Sequence, residues 1–271
     1  MTSPILLTGG TGTLGSRMVP LLRGAGGKVR VLSRGSHDPG DGVEFLRGDL
    51  TTGEGIDAAV TGVETIVHCA GSAKGDENKT RTLVRAAARA GAQHLVYISV
   101  VGADRVPVVS RVDRAMFGYF ASKRAAECIV ADSGLPWSTL RATQFHDLTL
   151  TVVTQLAKLP VIPVPAGVRF QPIDTDEVAT RLVELALGKP SGLVPDLAGP
   201  RVYGMDDLVR SYLKASGRRR VIMPVRLPGK AYRAVRDGAN LAPVRDVGHR
   251  TWEDFLATRL GTIPSSPAMD G

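Results

Sequence analysis

A glycine-rich turn near the start of the chain limits its possible folds more than any other segment. Residues 4–9 have the sequence PILLTG, a short apolar run typical of a buried strand. The turn TGGTGTLG follows, and the next segment, SRMVPLLRGAGG, has apolar residues at helical spacing. A strand, a glycine-rich turn and a helix in this order form the context that a dinucleotide-binding loop requires.

The glycines of this turn have separate expected roles. Gly9 permits a tight turn, Gly12 lets the backbone approach a pyrophosphate, and Gly15 lets the helix pack close to the strand. The free N–H groups and the helix dipole would then face the phosphates. A simple tight turn is the alternative. The residues expected to bind the cofactor here are Gly9, Thr11, Gly12, Thr13, Leu14 and Gly15.

The second predicted strand, KVRVLSR at residues 28–34, ends without an acidic residue. In folds of this kind an acid at that point binds the ribose hydroxyls of NAD. Here Ser33 and Arg34 occupy the position, and an arginine offers a planar fork of donors to a phosphate. The sequence therefore predicts NADP(H) rather than NAD, with an exposed loop arginine as the alternative for Arg34.

Further strands and helices alternate along the chain. The segments VEFLRGDL, VETIVHCAG, HLVYISVVG and WSTLRATQF predict strands, and helix-like stretches separate them. This order predicts an α/β fold with a doubly wound, Rossmann-like parallel sheet. Ligands bind at the carboxyl ends of such strands. The candidates there are Asp49, Leu50, Ala70, Gly71 and Ser99, whereas His68 and Cys69 are expected in the core.

A long helix is predicted over about residues 110–132, and it contains the segment YFASK. Tyr119 and Lys123 are four residues apart, about 6 Å along a helix axis, so their side chains can converge on one ligand. They are either a proton-transfer pair or a surface tyrosine beside a surface lysine.

The order of these motifs resembles a known family. TGGTGTLG, Ser33-Arg34, Gly48-Asp49-Leu50, YISVVG, YFASK and GLPWSTLRATQF are similar to segments of the short-chain dehydrogenase/reductase superfamily. More narrowly, they resemble its atypical, NmrA-like NAD(P)-binding branch, over about residues 4–187.

The resemblance implies roles for individual residues. Tyr119 would contact the substrate and protonate a carbonyl oxygen as hydride arrives. Lys123 would hold the nicotinamide ribose and lower the pKa of the tyrosine. Asp49 would contact the adenine, and Thr143 and Phe145 would lie beside the nicotinamide.

The sequence departs from the family pattern at the fifth strand. Alignment of YISVVG puts Val101 where the related reductases have a catalytic serine. Ser99 lies two residues earlier and could substitute if the strand end is displaced, and Ser110 is a further candidate. A missing hydroxyl would remove one donor to a developing oxyanion.

The back third of the chain is less regular. We predict a core at residues 1–145, a mixed C-terminal part at 146–262 with a small substrate lobe and helices that return to the core, and a disordered tail at 263–271. Apolar residues of the lobe would suit an apolar or aromatic substrate. His146, just after the sixth strand, is a candidate substrate contact, with a structural role as the alternative.

The composition of the chain limits the kinds of partner that we expect it to bind. The net charge of +8 invites a nucleic-acid partner, but the basic residues are scattered, and the run Arg218-Arg219-Arg220 is interpreted as a solvated loop. Neither a metal-ligand spacing nor an apolar run long enough for a membrane helix is present in the sequence. Two cysteines form no disulfide framework, which favours the cytoplasm. The oligomeric state is left open.

Three functional hypotheses remain. The first is an NADPH-dependent reductase of a carbonyl, quinone or similar small apolar acceptor, which the pair Tyr119 and Lys123 favours. The second is a regulatory protein that senses NADP(H) without turnover, which Val101 favours. A sugar-nucleotide epimerase or dehydratase is a weaker third hypothesis, because the short C-terminal part shows no obvious nucleotide pocket.

Overall fold

The computed structural model describes residues 3–38, 42–71, 75–242 and 246–261. The strands are β1 Ile5–Thr8, β2 Val29–Ser33, β3 Val43–Arg47, β4 Thr65–His68, β5 His94–Val100, β6 Trp137–Ala142, β7 Val161–Pro165, β8 Arg169–Phe170, β9 Gly192–Leu193, β10 Leu197–Ala198, β11 Tyr203–Gly204, β12 Val221–Val225 and β13 Asp246–Val247. The helices are α1 Gly15–Gly24, α2 Ile56–Val60, α3 Asp76–Ala90, α4 Arg111–Ala131, α5 His146–Leu156, α6 Thr175–Leu187, α7 Met205–Ala215, α8 Lys230–Arg236 and α9 Trp252–Leu260.

The main sheet is parallel, as the alternation of strands and helices predicts. Within the described residues its order is β13-β10-β6-β5-β4-β1-β2-β3, and β9 pairs with β6 outside this order. All of its pairings are parallel. Every residue of the central strand β5 is buried, which is expected when helices cover both faces of a parallel sheet. The predicted doubly wound, Rossmann-like fold is confirmed.

Alternate residues of β5 belong to different cores. Val96 and Ile98 pack in the core that includes residues of α1 and α6. Leu95 and Tyr97 point to the opposite face, where residues of α2, α3 and α4 complete a second core. Because side chains alternate along a strand, one short segment joins the two halves of the molecule.

The C-terminal part contributes both to the sheet and to a separate lobe. Strands β9, β10 and β13 extend the main sheet beyond β6, and α6 packs against α1. Helices α5, α7 and α9 enclose a core of their own, which includes Val153, Leu208 and Trp252. The tail predicted at 263–271 lies outside the described residues.

Some elements were absent from the sequence prediction. Helix α8 and strand β12 were not predicted, and neither was the pairing of short strands in two small sheets, β8 with β11 and β7 with β12. Strands β7 and β12 contain prolines, which lack the N–H that a ladder uses, so their sequences do not indicate strands. They form because their inner residues, including Ile162 and Val164, complete the core of the lobe.

The start of α1 is pressed against the end of β1. A Cβ atom on Gly15 would lie 2.2 Å from the carbonyl oxygen of Gly9 and 2.6 Å from the Cα of Gly10. Gly9 has φ +74°, and a Cβ there would lie 2.7 Å from the backbone nitrogen of Ala70. The turn therefore requires glycine for close approach at Gly15, and for both approach and conformation at Gly9.

Replacing Gly15 by alanine should destabilise the protein by at least about 1 kcal/mol, because the new methyl group overlaps backbone atoms that cannot move separately. Gly24→Ala in the same helix is the matched control, since a Cβ there meets nothing within 4 Å. It should be neutral or stabilise by up to about 1 kcal/mol. Urea unfolding of both variants measures the difference, and equal free energies would contradict the close contact.

Candidate functional site

A cleft of about 510 Å³ lies at the carboxyl ends of the first four strands. It contains a large part of the predicted cofactor site. The predicted residues that line it are Gly9, Thr11, Gly12, Ser33, Arg34, Asp49, Leu50, Ala70 and Gly71. Residues that the sequence did not single out also line it, namely Thr8, Leu32, Gly35, Gly48, Thr51, Cys69 and Lys79. Most of these are sequence neighbours of predicted residues, but Lys79 comes from α3 and had no local signal.

The glycine turn presents backbone donors to the cleft. The N–H of Gly12 donates to the carbonyl of Gly9 at 2.9 Å, which closes the turn. In the described part of the chain, the N–H groups of Thr13 and Leu14 take no part in the backbone hydrogen bonds of the turn. The first turn of α1 contains no acidic residue, so the positive end of the helix dipole is not neutralised. This arrangement suits an anion.

The remaining predicted residues of the turn lie outside the cleft lining. Thr13 is exposed, whereas Leu14 and Gly15 are buried beneath the turn. Leu14 packs in the core with residues of α1 and the sheet. The buried side chain of Leu14 anchors the turn, and Gly15 packs against it without a side chain. Any contact of these two residues with a ligand would therefore be through backbone N–H groups.

Arg34 and Lys79 bring positive charge to the side of the cleft formed by β2 and β3. Arg34 is exposed there, and the buried hydroxyl of Ser33 accepts from the N–H of Gly35 at 3.2 Å. The carboxylate of Asp49 accepts from the N–H of Thr51 at 2.7 Å. Hydrogen bonds from Thr51 lower the pKa of Asp49, and the charges of Arg34 and Lys79 lower it further. Two cations therefore act on this part of the cleft.

A buried histidine connects the turn to α3. Thr80 Oγ1 donates to the carbonyl of Asp76 at 2.7 Å, so the neighbouring Nε2 of His68, at 3.1 Å, must donate to Thr80. The Nδ1 of His68 then accepts from Thr8 Oγ1 at 2.7 Å, and Thr8 Oγ1 accepts from the N–H of Ala70 at 3.3 Å. His68 is fully buried, as predicted, and burial lowers its pKa to about 3.

Lys123 lies at the other end of the cleft. Its ammonium contacts the carboxylate of Asp76 at 3.2 Å and donates to the carbonyl of Ile98 at 3.2 Å. A Cβ on Gly71, which lines the cleft, would be 3.3 Å from both Lys123 Nζ and Asp76 Oδ2. The lysine ammonium is therefore adjacent to the cleft wall, although the side chain is almost fully buried.

Two tyrosine rings flank this ammonium. Lys123 Nζ lies 5.1 Å from the ring centroid of Tyr97 and 5.7 Å from that of Tyr119. Burial alone would lower the pKa of Lys123, but Tyr119, Tyr97 and Asp76 outweigh it and raise the pKa. The lysine therefore remains charged at neutral pH.

Tyr119 differs from the expectation in one respect. Burial raises its pKa and Lys123 lowers it, as predicted, but Asp76 raises it again, and the net direction is upward. The main physical reason is that burial disfavours the charged phenolate, and the carboxylate of Asp76 adds to this by offsetting part of the lysine charge at short range. The side chain of Tyr119 is 39% exposed, so it can be reached from solvent.

The candidate serines have different environments. Ser99 is buried on the same face of β5 as Tyr97, and its Oγ has no hydrogen-bond partner within the described residues. Val101 is fully buried beyond the end of β5 and packs with Ala198 and Ala242. Ser110 caps α4, where its hydroxyl accepts from the N–H of Asp113 at 3.0 Å. Its position is thus explained by the helix cap.

The segment after β6 lies between the sheet and the lobe. The hydroxyl of Thr143 is buried and accepts from the N–H of Gly199 at 3.3 Å, and Phe145 is half-buried and pairs with Ile173. Neither lines the cleft. Gln144 between them lines a cavity of about 100 Å³ together with apolar residues of α5, α7 and β8. Its buried Oε1 has no partner among the described residues.

His146 does not lie where a substrate contact was expected. Its ring is fully buried, 5.0 Å from the ring of Phe255 and 5.9 Å from that of Trp252. The closest carboxylate among the described residues, that of Asp174, is 3.9 Å from Nδ1. Helix α9 is far from His146 in the sequence but covers its ring. The structure therefore favours a structural role for His146 over a substrate contact.

Helix α4 is fixed to the sheet by a buried ion pair. The guanidinium of Arg141 on β6 binds both carboxylate oxygens of Glu127 on α4, at 2.8 and 2.7 Å. It also donates to Asp104 at 2.9 Å. Because Glu127 is one turn beyond Lys123, this pair sets the position of the helix segment that carries the lysine.

The described residues offer neither a metal-binding cluster nor a membrane-spanning helix. The residues described here contain no group of three or more histidine, cysteine or acidic side chains suited to a metal ion. Among the described helices, none combines the length and the hydrophobicity needed to span a bilayer.

The buried state of His68 predicts a pH dependence of stability. Because the pKa of His68 falls from 6.5 in the unfolded chain to about 3 in the folded protein, the unfolded chain binds more protons between these values. Stability should therefore fall with decreasing pH below about 6.5, by up to about 1.4 kcal/mol per pH unit from this residue. His68→Gln should show a shallower slope in urea titrations at several pH values, and an unchanged slope would refute the assignment.

Comparisons with known proteins agree with this geometry. A family model described as NAD(P)H-binding matches residues 9–186. Ceramide reductase of Caulobacter vibrioides is 30% identical over 210 residues, which cover 70% of this chain and 63% of that protein. The (4-alkanoyl-5-oxo-2,5-dihydrofuran-3-yl)methyl phosphate reductase of Streptomyces griseus is 31% identical over 150 residues, or 54% of this chain and 50% of that protein. The chain thus spans one half to two thirds of the length of these curated relatives.

A solved structure shares the fold. The NADPH-dependent quinone oxidoreductase of Escherichia coli, crystallised with NADPH, superimposes with a TM-score of 0.75 at 18% identity. The superposition covers 94% of this chain and 99% of that protein. The expected kinship with NAD(P)-binding Rossmann-like proteins is confirmed, and the chain belongs to the NAD(P)H-binding family.

Proposed function

We propose that the protein is an NADPH-dependent oxidoreductase that reduces a carbonyl, quinone or similar small apolar acceptor. The observation that carries the proposal is the continuity of the cleft. It begins at the glycine turn and ends at Gly71, where the ammonium of Lys123 lies beside the rings of Tyr97 and Tyr119. This continuity supports the proposal that the glycine turn and a proton donor act on the same bound cofactor.

The residues of the cleft fit the cofactor in three ways. The glycine turn offers backbone donors and the helix dipole to a pyrophosphate. Arg34 and Lys79 supply positive charge near the β2 end, where an adenosine phosphate would lie. Lys123 offers its ammonium to the nicotinamide ribose at the far end.

In the proposed reaction NADPH, when bound, supplies the hydride that adds to the acceptor carbon. Tyr119 would donate its hydroxyl proton to the acceptor oxygen, so that the product gains one hydride and one proton. Lys123 would stabilise the resulting phenolate, since its raised pKa keeps it charged. The buried hydroxyl of Ser99 is a further candidate donor to the acceptor oxygen.

The acceptor class is inferred from the lobe and the relatives. The cavity beside Gln144 is lined by apolar side chains, including Leu148, Val152 and Phe170. The relatives include a ceramide reductase and a reductase of a furan-derived methyl phosphate, and the structural neighbours include a quinone oxidoreductase. An apolar acceptor agrees with this lining.

A regulatory protein that senses NADP(H) without turnover is the second candidate. Val101 packs in an apolar cluster, so it offers no hydroxyl at the position where related reductases are expected to have one. Asp76 also offsets the charge of Lys123, which weakens its effect on Tyr119. Both observations favour cofactor binding over catalysis, and turnover assays separate the two functions.

The phosphate assignment predicts a change in cofactor preference. Arg34→Ala should weaken NADPH binding roughly tenfold or more, because it removes charged hydrogen bonds to the phosphate, and should affect NADH much less. Titration calorimetry with each cofactor measures the ratio. Arg85→Ala is the control, since Arg85 is exposed on α3 outside the cleft lining. Equal weakening for both cofactors would contradict the assignment.

The acid role of Tyr119 predicts a loss of turnover without loss of binding. Tyr119→Phe should reduce kcat by roughly 100-fold or more on any quinone, ketone or azo dye that the protein reduces, while the Kd for NADPH changes little. NADPH absorbance follows the reaction. Tyr203→Phe is the control, because its hydroxyl bonds Glu253 in the lobe. Full activity in the Tyr119 variant would refute the role, and cofactor binding without any turnover would favour the sensor.

A further inference from the structure

One face of the small sheet formed by β7 and β12 is exposed and apolar. The two strands are parallel, with Val221 paired to Val161 and Met223 to Pro163. Val161, Val221 and Met223 are 41%, 65% and 49% exposed, and Leu159 just before β7 is 43% exposed. We call these four residues and the cations around them the β7–β12 surface.

Basic side chains border these apolar residues. One depression is lined by Lys158, Pro160, Arg219, Arg220 and Val221. An adjoining depression shares Arg219 and Arg220 and adds residues that include Lys214 and Arg218. Arg210, at the edge, pairs with Asp206. Within the described ranges, no carboxylate lies within 4.0 Å of the other basic groups, which are Lys158, Lys214, Arg218, Arg219 and Arg220.

We propose that the β7–β12 surface docks the protein onto the interface of an anionic lipid bilayer. The cations would bind the phosphates of lipid headgroups, and the aliphatic side chains between them would enter the boundary between headgroups and acyl chains. This inference goes beyond the proposed function and does not depend on it. It requires no membrane-spanning helix, since the contact is peripheral.

Other occupants fit the surface less well. A single-stranded nucleic acid would be expected to use aromatic side chains as stacking platforms, whereas the exposed apolar residues here are Leu159, Val161, Val221 and Met223. A second copy docked symmetrically would bring the same unpaired cations of both chains together, and like charges would repel. An anionic bilayer satisfies the charge and the apolar residues at once.

The location of the surface agrees with an apolar substrate. The surface follows the C-terminal ends of α5 and α7, the two helices whose earlier turns line the cavity beside Gln144. Leu148 and Val152, one turn apart on α5, line that cavity and are 54% and 41% exposed. Docking would therefore place the lobe, rather than the cofactor cleft, against the lipid.

Cosedimentation of the full chain with vesicles tests the cations. The protein should bind vesicles that contain about one third phosphatidylglycerol, and bind pure phosphatidylcholine weakly, at a salt concentration of about 0.1 M. Each basic residue near an anionic surface contributes about fivefold, so R218Q/R219Q/R220Q should weaken binding at least tenfold. The triple variant K28Q/R85Q/K189Q removes the same charge from exposed positions elsewhere and should bind like the wild type. Equal losses in both variants would overturn the proposal.

A second pair of variants tests the apolar residues. V221S/M223S should weaken vesicle binding several-fold without changing the fold or the Kd for NADPH, because both side chains are exposed and distant in sequence from the cleft lining. The control V109S/L187S alters two exposed apolar residues elsewhere and should have no effect. Unchanged vesicle binding by V221S/M223S would overturn the proposal. Tighter binding to single-stranded RNA than to vesicles, or a wild-type dimer that V221S/M223S abolishes, would assign the surface to another partner.

Discussion

The contact between the start of α1 and the end of β1 is the constraint on which the cleft depends. Gly15 has no room for a Cβ atom above the carbonyl of Gly9, and Gly9 has none beside β4. Because neither position carries a Cβ atom, the start of α1 packs directly against the turn that follows β1, and this turn lines the cleft. A bulkier turn would displace the helix dipole and the backbone donors from the place where a diphosphate can bind.

A chain of buried polar contacts extends from this turn to the proposed proton-transfer site. Thr8 precedes the turn and bonds His68, which donates to Thr80, which in turn donates to the backbone of Asp76. The side chain of Asp76 then pairs with Lys123. A network in which each polar group is paired fixes geometry more strictly than apolar packing does. The ends of β1 and β4 and the helices α3 and α4 are therefore positioned relative to one another.

The inner and outer residues of the lobe have different proposed roles, which the sequence did not distinguish. Its inner residues form a core around Trp252, and this core encloses His146 and one side of the small cavity near Gln144. Its outer residues form the β7–β12 surface, where cations border exposed aliphatic side chains. One face of this two-stranded sheet is buried, and the other has no partner among the described residues. The proposed chemistry and the proposed docking thus use different parts of the molecule.

The sequence by itself determined the six central strands, the helix that carries Tyr119 and Lys123, and the glycine turn, because these depend on local periodicity and on conformations open only to glycine. It also identified Arg34, Asp49, Ala70 and Gly71 at strand ends. Only the tertiary structure decided that Lys79 lines the cleft, that Asp76 pairs with Lys123, and that α9 buries His146. These contacts join residues far apart in the chain or on different helices, and no local pattern encodes which distant side chain will arrive beside another.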